Sequence, residues 1–133
     1  MSGVLVNQGE VIMLEALINK AAGEDLVLKL FQNDWTPGET DTEGDYVEAD
    51  FSGYAAIPLD GASWTTTPGA PSQVTYAQQS FISDADQTLQ PIYGYFLVQL
   101  GSGLLVAAER FASAFPLQNV DDTVKVTPKI TQN

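Results

Sequence analysis

Seven carboxylates fall between positions 34 and 50 (Asp34, Glu39, Asp41, Glu43, Asp45, Glu48 and Asp50), with no lysine or arginine among them. An oxygen-rich segment of this kind has the donors that calcium takes, but its spacing does not match an EF-hand loop. A pair such as Glu43 and Asp45 could in principle divide acid and base roles in glycoside hydrolysis. That chemistry also needs a cleft lined by aromatics and converging donors, which two neighbouring acids do not supply. With Pro37, Gly38 and Gly44 in the same stretch, residues 33–45 read as a solvated or partner-facing acidic loop. No metal and no cofactor is expected.

Other routes to catalysis close on residue types. The chain has no histidine and no cysteine, which removes the usual general base, the usual zinc ligand and the thiolate nucleophile together. Gly101-Ser102-Gly103 lacks the lysine and the helix start of a phosphate-binding loop. The expectation is a protein that is not an enzyme. Seventeen acidic against five basic residues give a formal charge of −12, which repels phosphate backbones and anionic lipid surfaces, so neither nucleic acid nor membrane is an expected partner. The N-terminus lacks a basic start and cleavage site, and no apolar run approaches the roughly 20 residues that span a bilayer. The expectation is a soluble protein made in the cytosol.

What remains is recognition. Trp35, Tyr54, Trp64, Tyr93 and Tyr95 are not interleaved with basic residues as base-stacking surfaces are, and read as strand packing and interface residues. Tyr93 and Tyr95 alternate with Gly94 and Phe96, which on a regular strand puts both phenols on one face and Phe96 on the other. Such a face could dock a protein. Arg110, the only arginine, points away from its neighbour Glu109 on a strand and is expected to pair with an acid elsewhere in the chain or across an interface. Val4, Leu5 and Val6 form a short apolar segment between Gly3 and Gly9, read either as an extended arm (residues 1–7) that adds to a sheet edge, its own or a neighbour's, or as an ordinary first strand. Val4, Leu5, Val6, Trp35, Tyr54, Trp64, Tyr93, Tyr95 and Arg110 are therefore the candidate interface residues.

These residues must be positioned by short strands. Over 8–22 the apolar positions Val11, Leu14, Leu17, Ile18 and Ala21 recur at three- and four-residue spacing, predicting one amphipathic helix that stops near Gly23. Strands are expected over 25–31 with Leu26, Leu28 and Leu30 on one face, and over 46–51 with Val47, Ala49 and Phe51 on one face. Further strands are expected over 53–59, 63–67 and 73–82, separated by Asp60-Gly61 and by Pro68-Gly69-Ala70-Pro71. Residues 92–100 and 104–111 flank Gly101-Ser102-Gly103 as an antiparallel hairpin, and 123–130 forms a last strand whose Pro128 argues for an edge. The whole predicts one mostly β domain over residues 1–133, an antiparallel β-sandwich or jelly roll with a single N-terminal amphipathic helix.

The runs Pro91-Ile92-Tyr93-Gly94-Tyr95-Phe96, Ala108-Glu109-Arg110-Phe111 and Asp122 to Ile130, with Asp25 to Phe31 and Phe51-Ser52-Gly53-Tyr54 before them, resemble small virion-associated structural proteins of tailed bacteriophages. That resemblance implies a β-sandwich subunit on a capsid or tail, most commonly a capsid decoration or cement protein that stabilises the head. Its partners would be the major capsid protein and copies of itself, with a homotrimer suited to threefold lattice positions. It would be assembled in the host cytoplasm and located on the capsid surface. The alternative role is a receptor- or glycan-binding module of a tail or fibre, in which Trp35 and Trp64 would stack on sugars.

Overall fold

β-Branched and aromatic residues separated by turn signals produce ten short strands and one helix in the computed structural model, which describes residues 3–132. In chain order they are β1 (Val4–Leu5), α1 (Asn7–Leu17), β2 (Leu26–Phe31), β3 (Ile57–Leu59), β4 (Thr65–Thr67), β5 (Ser72–Thr75), β6 (Gln79–Ile82), β7 (Gln90–Gln99), β8 (Leu105–Leu117), β9 (Thr123–Val126) and β10 (Lys129–Gln132). All pairings are antiparallel. The main sheet has the order β1-β8-β7-β2-β3, and two smaller sheets, β10-β5-β4 and β6-β9, accompany it. The mostly β, sandwich-like class with one helix near the N-terminus is as expected.

The main sheet is covered on both faces, which explains why β7 reads as a nearly continuous apolar run and not as an alternation. On one face Leu28, Leu30, Tyr95 and Leu97 pack with Phe81, Val124 and Val126 from the β6-β9 pair. On the other, Val27, Phe31, Phe96 and Val98 pack with Tyr46 and Val6. The expected loop over 33–45 thus leads into a residue, Tyr46, that closes the second core.

Several expected elements differ, each for a local reason. The segment 46–51 is no strand: it makes one bridge, Phe31 to Glu48. Tyr46 joins one core and Ala49 and Phe51 the other, so the segment passes from one side of the sheet to the other and leaves Val47 51% exposed. The expected strand over 73–82 divides into β5 and β6. That over 123–130 divides into β9 and β10 around Pro128, which lies fully buried in the break.

The helix ends at Leu17, short of the expected Ala22. Asn19 takes the left-handed conformation (φ 58°), its N–H bonds the Ala16 carbonyl, and the Lys20 N–H bonds that of Glu15, which is a Schellman stop with asparagine where glycine is commoner. The orientation of α1 is also opposite to expectation. Gly9 lies so close to the Val106 carbonyl of β8 that a side chain there would collide with it. Gly9 and Ile12 therefore form the inward face, and Val11, Leu14, Leu17 and Ile18 face solvent.

The expected hairpin forms, with Gly103 in the left-handed region (φ 73°). Its register then breaks. From the pair Ile92 and Phe115 to the pair Gly94 and Arg110, β7 advances two residues while β8 advances five. This slip overturns the shared face assigned to Tyr93 and Tyr95: Tyr95 enters the first core with Ile92, whereas Tyr93 packs on the second with Phe96.

Gly94 sits at the slip with no room for a side chain. An added Cβ would meet the Glu109 carbonyl and lie 2.6 Å from the Phe31 ring. Gly94→Ala should therefore destabilise the protein by about 3 kcal/mol through overpacking, whereas Gly23→Ala, where nothing lies within 4 Å, should leave stability within about 0.5 kcal/mol. Chemical denaturation of the two variants side by side checks this.

Candidate protein interface

Arg110 gathers two other expected interface residues, Trp35 and Tyr93, into one cluster. Its Nη2 lies 2.7 Å from Asp34 Oδ1, its Nη1 donates to the Trp35 carbonyl at 2.9 Å, and its guanidinium stands 5.1 Å over the Tyr93 ring. The acid expected for Arg110 is thus within the chain. Trp35 in turn donates its indole N–H to Asp41 Oδ2 at 2.9 Å, and the same oxygen accepts from the Gly38 N–H at 2.8 Å and the Tyr46 hydroxyl at 2.7 Å. Burial pushes the Asp41 carboxyl up, but the three donors outweigh it and hold the group below the usual carboxylate range. Asp41 is the internal anchor of the acidic loop.

Two further carboxylates of that loop are also structural. Glu43 accepts the Leu105 N–H, and Asp45 accepts the Thr42 N–H in a reciprocal capping box. Among the described residues no three carboxylates converge as metal ligands would.

Three tyrosine hydroxyls donate to acids from within the fold: Tyr46 to Asp41, Tyr54 to Glu48 at 2.7 Å and Tyr95 to Glu109 at 2.9 Å. Tyr95 is 3% exposed and Val6 is fully buried, so neither offers a docking surface. Tyr54 stacks on Phe81 and bonds the Leu30 N–H, which also ties it inward. Val4 and Leu5 pair with Ala108 and Ala107 at the chain's own sheet edge. The arm is a first strand, paired on one side with β8.

Of the expected set, Trp64 lies on a sizeable recess. It packs edge-on against Tyr76 and lines a cleft of about 470 Å³ between α1 and the β10-β5-β4 sheet, together with Ile12, Met13, Leu26, Val74 and Ile130. Two smaller recesses continue it along the helix, one by Gln73 and Gln132 and one by Glu10, Leu14 and Leu17. Met13 lines all three. Beside this trough rises the solvent face of α1, with Leu17 80%, Ile18 69%, Leu14 60% and Val11 53% exposed. The spacing of these four residues marks an apolar stripe, the side of an amphipathic helix that ordinarily faces a core. The discriminating signal is that Gly9, Ile12, Met13 and Ala16 make the opposite side of the helix apolar as well. A helix with apolar residues on two opposite sides has more than one face to cover.

The polar anchors give two measurable expectations. Asp41→Asn should cost about 2 kcal/mol, since an amide cannot replace a carboxylate that accepts three donors. In the parent, the stability Asp41 contributes is present above its ordinary value of 3.8 and is lost as pH falls through its lower folded value, so the variant should show a shallower acid limb in a pH series of melting temperatures. At the alkaline end, burial first, then the adjacent carboxylates, push the Tyr46, Tyr54 and Tyr95 phenols well up. A raised folded value means stability that is full below the ordinary tyrosine value of 10.0 and lost as pH rises beyond it. The phenolate absorbance of these three tyrosines should therefore appear together with the loss of circular dichroism, as unfolding releases the buried phenols. Neither a scan against protein families nor a search of curated proteins found a match to this chain.

Proposed function

We propose that this chain is a non-catalytic structural subunit that binds other proteins, and that it decorates the head of a tailed phage by docking on the lattice of the major capsid protein. The observation that carries the docking role is the uncovered apolar face of α1. Four large aliphatic side chains held in solvent by a Schellman-capped helix stand to contribute roughly 1.5–3 kcal/mol each if fully buried. Exposed patches of this kind mark partner surfaces. The choice of a phage head comes from the resemblance of the strand sequences, and a net charge of −12 fits a protein partner better than packaged nucleic acid. Repetition of one modest contact over many lattice sites would give avidity.

The glycan-binding alternative has less support. Trp64 is half-buried against Tyr76 in a cleft whose lining is mainly aliphatic, and the Trp35 N–H is already bonded to Asp41. Sugar sites need several free, converging polar groups beside the aromatic.

Co-sedimentation with capsids that lack this protein tests the proposal. The expected result is saturable binding at a fixed ratio to the major capsid protein, weakened about tenfold or more by Leu17→Glu with the melting temperature unchanged. Absence of binding by the unaltered protein would overturn the decoration role, and binding on a glycan array would then favour the tail module.

A further inference from the structure

We propose that the trough beside α1 receives an amphipathic helix of a protein partner whose flanks carry lysine or arginine. The inference rests on the docking role of α1 and specifies the chemistry of what docks there. Val11, Leu14 and Ile18 stand three and four residues apart on the open face, the row of side chains that nests into the groove of a neighbouring helix. The trough runs from the cleft at Leu26 and Trp64 to the recess at Leu17, where the exposed Leu14 and Leu17 join that open face to the groove. Met13, which lines every part of it, is the side-chain type best able to adapt its shape to a guest.

Charge decides between the occupants. Glu10 and Glu24 line the trough, and no lysine or arginine does. Lys20, just past the helix, is 3.7 Å from Glu15. A second copy of the chain would bring a further −12 against this rim, whereas a basic flank gains from the same field in both encounter rate and fit.

The probes are three synthetic peptides: a leucine–lysine helix with leucines at i, i+3, i+4 and i+7, a scrambled peptide of the same composition, and a leucine–glutamate twin. Calorimetry on the full chain should show the amphipathic basic peptide binding at least about tenfold tighter than either control. Amide shifts should concentrate on α1, and the affinity should fall with added salt. Leu14→Ser with Leu17→Ser, both at exposed positions, should remove that preference without loss of melting temperature. Equal binding of the scrambled or acidic peptide, no binding by any peptide, or an unaffected variant would overturn the inference. Self-association of the free protein that the double variant relieves would also overturn it, giving the trough to a second copy. Capsid co-sedimentation keeps the two ideas apart: full binding of the double variant removes the trough as the site and leaves decoration standing, while no binding of the parent removes decoration alone.

Discussion

The break in register between β7 and β8 is the constraint from which most of the arrangement follows. A strand that simply alternated would send Tyr93 and Tyr95 to the same side. Beside the register slip β7 itself departs from alternation at Tyr93-Gly94, so that Ile92, Tyr95 and Leu97 build one core while Tyr93, Phe96 and Val98 build the other. At the slip the backbones meet more closely than any side chain allows, and Gly94 is the residue that permits it. Glu109 and Arg110 then fall on opposite faces. One reaches Tyr95 beneath the small sheets, and the other reaches Asp34 and Trp35 at the acidic loop.

A second close approach, that of Gly9 to Val106, does for the helix what Gly94 does for the sheet. It brings one turn of α1 directly onto β8 and so chooses which apolar side is consumed internally. The acidic loop is held by different means, a single carboxylate oxygen satisfied by three donors. Asp41 and Asp45 order the loop's own backbone, while Asp34 and Glu43 tie it to β8. The proposed docking surface is of a different kind, apolar helix and trough with carboxylates at the margin.

The strand content, the β7–β8 hairpin and the inward leucines of β2 were legible because alternation and glycine-bearing turns are local signals. What was not legible depends on contacts between distant residues. The sequence Tyr93-Gly94-Tyr95 carries no mark of the extra residues that face it on β8. The stripe at Val11, Leu14, Leu17 and Ile18 has the spacing of a core face, and only the collision at Val106 turns it outward. Arg110 was correctly read as needing an acid, though its partner, Asp34, lies far away in the chain. Val4–Leu5 was ambiguous because an apolar dipeptide fits its own sheet edge or a neighbour's equally well, and closure onto β8 is a matter of tertiary geometry.

The outermost strands of the main sheet are two and three residues long, and one of them carries Pro58. Unsatisfied backbone groups at a sheet margin are what propagate strand-to-strand aggregation, and short margins interrupted by proline suppress it. The margins at β1 and β3 thus give a second strand little main-chain ladder to extend. The longer open margin is the far part of β8, which β1 pairs only at Ala107 and Ala108.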